Sequence, residues 1–212
     1  MEQVQQTEKQ NKSRFTTKTL AKVAVLTALS AILYIVPWLK FSLPMLFPAF
    51  LDIQFSELPA LIGGFSMGPI AGCAIIVIKC LIKMPMTSTM CVGEIGDIIM
   101  GIAFVLPAAL IYKNHKNIKG AVLGMLAGMA SFAFVGIFVN WLVLIPFYAM
   151  FLDGGWNTII GMVSTIYPGV TQQSFFTYYL FLGVLPFNLL RGILVSLLTF
   201  LLYKRVSPIL HI

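Results

Sequence analysis

Residues 58–83 read LPALIGGFSMGPIAGCAIIVIKCLIK, an apolar run that is either one membrane-spanning helix or two shorter ones. The reading of this stretch fixes the helix count of the whole chain. Gly63-Gly64 and Gly68-Pro69 interrupt it in mid-run, and such pairs are strong turn signals. Two helices bent near residues 64–69 are therefore expected. Each half then holds about 12 residues, or about 18 Å, too short to span a full hydrocarbon core alone.

The charges around this stretch argue the same way. Basic residues concentrate on the cytoplasmic side of membrane proteins. Lys9, Lys12, Arg14 and Lys18 precede the first apolar run and Lys22 lies at its start, Lys113, Lys116 and Lys119 follow the run ending at 112, and Lys204 and Arg205 close the last one. If all of them are cytoplasmic, the chain crosses an even number of times before Lys113. The runs 19–38 and 93–112 account for two crossings, so 58–83 crosses twice or not at all. The expected fold class is an all-α integral membrane protein: a six-transmembrane-helix bundle with both termini cytoplasmic. A polar, disordered tail (1–18) is expected to precede one membrane domain (19–212). Its helices fall at about 19–38, 57–67, 69–83, 93–112, 119–149 and 172–204.

Composition supports a membrane protein. The chain has 212 residues, of which 59% are hydrophobic and only 10% charged, against about a quarter charged in soluble domains. The runs are continuously apolar, which excludes an alternating barrel pattern. The net charge of +7 is explained by topology and requires no nucleic acid. Cys73, Cys80 and Cys91 show no metal-ligand spacing and read as packing residues. Walker A, nucleophile-elbow and paired-His patterns are all missing, so the chain reads as neither an ATPase nor another enzyme, and any uptake it drives draws on a partner or an ion gradient.

Chemistry concentrates where polar groups interrupt the apolar runs. Arg191 sits 13 residues before Lys204, about 20 Å along the last helix. An arginine at membrane depth is costly, so it either locks an internal salt bridge with Glu57, Glu94 or Asp97, or meets a ligand. Asn188 lies on the same face one turn further out, and Asn140, 21 residues after Lys119 and so about 30 Å up the fifth helix, can converge with it in the outer half of the bundle. Pro186 frees a carbonyl one turn earlier, a natural bend beside a polar pocket. Glu57 is either part of an N-terminal cap with Ser56 or a ligand contact. Lys79 has an inward role open to it, whereas Lys83 reads as an interfacial lysine. Trp38, Trp141, Tyr148, Trp156, Tyr178 and Tyr179 mostly fit an outer aromatic belt. Segment 40–55, with two prolines, is expected to be non-helical and to cover the space above the short helices. With Asp52, Glu57, Glu94, Asp97, Asp153, Lys40, Lys79 and Lys83 at the outer ends, the cavity is expected to open outward. Ala21, Ala24, Ala28 and Ala31 share one face of the first helix, where small residues let another helix approach closely.

DIQFSELPALIGGFSMGPIAG (52–72), CVGEIGD (91–97), VNWLVLIPFYAMF (139–151) and LPFNLLRGILVSLLTFLLYKRVSPIL (185–210) together resemble the riboflavin-specific S components (RibU family) of energy-coupling factor (ECF) transporters. The likeness runs over nearly the whole chain after residue 18. It implies a bacterial plasma-membrane subunit that binds riboflavin, as transported ligand and not as cofactor, from outside. It also implies docking on one transmembrane coupling subunit and two cytoplasmic ATPases. The polar ligand contacts of the family map onto Asn140, Asn188 and Arg191, and its alanine docking motif onto Ala24 and Ala28. Arg191 stands where relatives commonly have lysine, and Asp97 where they often have asparagine. Further candidates for the binding set are Glu57, Lys79 and Glu94, with Phe55, Phe47 and Leu46 from the covering loop and Trp141, one of several rings open to stacking. The alternatives are an S component of the same fold for another vitamin and a membrane sensor without transport.

Overall fold

The computed structural model describes residues 16–48 and 50–210. Lys9, Lys12 and Arg14, and nearly all of the expected tail, lie outside the described residues, as do the side chains of Lys204 and Arg205. Helix α1 covers Thr17–Ile35, and its first free amides are capped by the Thr16 hydroxyl, which accepts from the Thr19 N–H. It ends before Pro37, and a short 3-10 turn, Pro37–Leu39, leads out of it. Helix α2 (Glu57–Met67) and helix α3 (Pro69–Lys83) follow. Between them Gly68 has φ 100°, a conformation open to glycine and costly for any side chain. Pro69, at the first turn of α3, gives up an amide that no helical carbonyl needed.

The turn makes α2 and α3 a hairpin: Glu57 at the start of one meets Lys79 near the end of the other. Its halves are unequal. Helix α2 has 11 residues, about 16 Å, whereas α3 with the turn after it runs Pro69–Met86, long and apolar enough to cross. Helix α4 is Val92–Asn114. Helix α5, Ile118–Phe151, carries a wider π turn at Asn140–Leu144. A short helix α6, Gly155–Ser164, follows it. Helix α7 comprises Phe175–Tyr178, a second π turn at Tyr179–Val184, and Leu185–Leu210. Among the described residues five helices are long and apolar enough to span a bilayer: α1, α3, α4, α5 and α7.

The core runs between α1, α2, α3, α4, α5 and α7, with Leu61, Ile75, Val105, Phe104 and Val195 fully buried. Leu123, Leu126, Phe134, Ile193 and Leu197 point outward, the arrangement expected where the surrounding solvent is lipid. At the Gly68 end, Phe65, Tyr112 and Tyr203 pack ring on ring, and the two tyrosine hydroxyls lie 3.0 Å apart. Segment 40–56 folds over the opposite end. Its two short strands, β1 (Phe41–Ser42) and β2 (Asp52–Ile53), pair antiparallel. Helix α6 and the β pair were not legible in the sequence: each is too short to show a hydrophobic period.

A charged and aromatic cavity at one end of the bundle

A cavity of about 610 Å³ lies under segment 40–56. Arg191, Asn188 and Asn140 line it together, from α7 and α5. Glu94 and Asp97 of α4 join them, with Tyr34 of α1 and Lys83 of α3. Apolar wall is supplied by Phe50, Met100, Leu144, Phe147 and Phe187.

Arg191 is held from two sides. Its Nη2 donates to Glu57 Oε1 at 2.6 Å, and its guanidinium carbon lies 5.4 Å from the centre of the Phe132 ring, a cation–π arrangement. The same Glu57 oxygen takes Lys79 at 3.1 Å. Lys79 also donates to the Ser56 hydroxyl, and Ser30 donates to the Ser56 carbonyl. Buried here are two cations and one carboxylate, a combination that needs this dense bonding to be tolerated. Glu57 is thus neither a cap nor part of the cavity wall: it ties Arg191 to the α2–α3 hairpin. The Ser56 side chain makes no capping bond to the helix.

Asn140 opens the π turn of α5. Its Nδ2 donates to the Gly136 carbonyl at 2.8 Å and its Oδ1 accepts from the Tyr179 hydroxyl at 2.7 Å. Both π turns precede a proline, Pro146 in α5 and Pro186 in α7. Proline rejects the carbonyl four residues before it, and the wider turn absorbs that conflict. Gly136 leaves room for the neighbouring helices, since a Cβ there would come within 3.0 Å of Met100 and overlap the Asn188 amide.

The α3–α4 connection is tied by Glu94. Its Oε2 accepts from Thr87 at 2.8 Å and Thr89 at 3.0 Å, while Oε1 pairs with Lys83 at 3.2 Å. Lys83 therefore turns inward and not to the interface; its Nζ sits 4.2 Å from the centre of the Tyr34 ring. Lys40 stands over the same ring at 5.1 Å. Burial, and then the Lys83 ammonium, hold the Lys40 pKa below the usual lysine value.

Other expected positions fall elsewhere. Lys79 is fully buried behind the wall. Phe47 packs edge-on against Phe187, and Phe55 packs against Phe41. Leu46 is exposed and turns only its carbonyl toward Tyr167. Trp141 is 45% exposed and faces away from the cavity beside Phe138, because one residue along a helix is about 100° of rotation from Asn140. Ala21, Ala24 and Ala28 are exposed on α1, but Ala31 is buried in the bundle. Two residues expected in the aromatic belt belong to the site: Tyr148 lines the cavity, and Tyr179 is buried on Asn140. Tyr34, Gln54, Thr87 and Thr89 carry no sequence pattern that singles them out.

A family profile described as "ECF transporter, substrate-specific component" matches residues 18–203. The chain belongs to the S components of ECF transporters. This S component is 29% identical over 192 residues to the riboflavin transporter RibU of Staphylococcus aureus (strain TCH60), covering 89% of this chain and 92% of the relative. It is also 29% identical over 190 residues to the riboflavin transporter FmnP of Bacillus subtilis (strain 168), covering 88% and 92%. A solved S component of a bacterial ECF transporter superposes with a TM-score of 0.69 at 28% identity, covering 91% of this chain and 97% of that one. The S component is a membrane transporter subunit, not an enzyme.

Proposed function

We propose that this S component binds riboflavin in the cavity beneath segment 40–56, as the specificity subunit of a vitamin uptake transporter. The observation that carries the proposal is the mixed chemistry of the wall: Arg191, Asn188 and Asn140 beside Phe50, Met100, Leu144 and Phe187. Riboflavin has a flat apolar ring system, one imide edge and a hydroxylated tail, and a largely apolar cavity with a few aimed polar groups suits such a ligand. The volume lies within the roughly 300–1,000 Å³ of small-molecule sites. The names of the relatives point to the same vitamin.

In this reading six helices cross the bacterial plasma membrane, α2 and α3 as one hairpin, with both termini cytoplasmic and the cavity outward. The exposed face of Ala21, Ala24 and Ala28 meets a transmembrane coupling subunit, which carries two cytoplasmic ATPases. Purified protein titrated with riboflavin in a calorimeter tests the ligand. Saturable binding at one site per chain, with quenching of flavin fluorescence, is expected. Heat from thiamine or folate and none from riboflavin would assign the site to another vitamin.

A further inference from the structure

Gln54 leaves the β pair just ahead of α2 and is 5% exposed, on the cavity wall. Its Nε2 donates to Asp97 Oδ2 at 3.1 Å. Its Oε1 is buried and has no hydrogen-bond partner among the described residues. The Nε2 partner is a carboxylate, which accepts and does not donate, so the nitrogen belongs on Asp97 and the oxygen is left over. A buried carbonyl oxygen without a donor is unfavourable, and a ligand donor relieves it.

We propose that Gln54 is a ligand-contacting residue and Asp97 its positioning residue: Asp97 fixes the amide so that Oε1 accepts from the imide N–H of the bound ligand. The inference rests on the riboflavin reading above and names which edge of the ring system Gln54 reads. The imide N–H is the one donor in the plane of that ring system. Asparagine at position 97 would offer both a donor and an acceptor and leave the Gln54 amide free to turn over. The wall would then accept a wider range of ring edges.

The test compares riboflavin with 3-methylriboflavin, which lacks the imide proton, on full-length protein. Wild type should prefer riboflavin by about tenfold or more. Gln54→Met, similar in length and without the amide, should bring the two affinities to within about threefold, and Asp97→Asn should reduce the preference part-way. A merely structural role for Gln54 would weaken both ligands alike, and that result would overturn the proposal. Should either variant fail to fold, resonance Raman of riboflavin on wild type decides. An imide N–H band shifted from its free position supports the contact, and an unshifted band overturns it. Failure of riboflavin to bind wild type at all would instead strike the functional reading.

Discussion

The Tyr167 hydroxyl donates to the Leu182 carbonyl at 2.8 Å, and Leu182 is the residue whose helical partner Pro186 removes. The same hydroxyl lies 3.4 Å from the Leu46 carbonyl. One side chain thus answers an orphaned acceptor in α7 and stands against the segment that covers the cavity. Tyr167→Phe should leave that acceptor unmet and loosen the covering segment. Riboflavin release, followed by recovery of flavin fluorescence after stopped-flow dilution, should accelerate about three- to tenfold.

Arg191 and Glu57 should separate binding from stability. Arg191→Met leaves Glu57 still paired with Lys79, so the fold should persist while riboflavin affinity falls more than about tenfold. Glu57→Gln strands two buried cations, and loss of a buried partner costs about 3–5 kcal/mol. Thermal unfolding in detergent should therefore fall much further for Glu57→Gln than for Arg191→Met. Equal losses of stability would mean that Arg191 serves packing alone.

Gly136→Ala probes the space behind Asn188. The added methyl would displace the Asn188 amide from the wall. Calorimetry should show riboflavin affinity reduced about tenfold or more, as expected for a polar contact pushed out of place. Far-ultraviolet circular dichroism should remain that of wild type, since alanine favours helix over glycine.

Ala24→Trp combined with Ala28→Trp changes an exposed face of α1. Riboflavin binding by the isolated subunit should be unchanged, and uptake by cells relying on the variant should be lost. Normal uptake would remove α1 as the face that meets the coupling subunit.

The helices were legible because long apolar runs, turn residues and flanking lysines leave marks in any sequence. Gly68-Pro69 marks the hairpin, and Gly68 takes the positive φ that the turn requires. Arg191, Asn188 and Asn140 stand out for the same reason, as polar groups deep in apolar runs. What lies in segment 40–56 and in the α3–α4 connection was not legible. Gln54, Thr87 and Thr89 are ordinary residues there, and only the fold brings them to Asp97 and Glu94. Tyr179 reads in sequence as an interfacial ring because its hydroxyl partner, Asn140, lies 39 residues away. Leu46 and Trp141 look like site residues through their neighbours in the chain, yet side-chain direction, not proximity along the backbone, decides what faces a cavity.

The paired π turns have a further effect. Each holds one residue beyond a regular turn, which re-indexes the helix by about 100°. The segments beyond Asn140 and Tyr179 are therefore clocked independently of the shafts that pack near Tyr112 and Tyr203. Substitution or a one-residue slip beyond the π turn of α5 can shift what Phe147 and Tyr148 present to the chamber, while Asn188 and Arg191, on the α7 shaft below its own π turn, keep their registration.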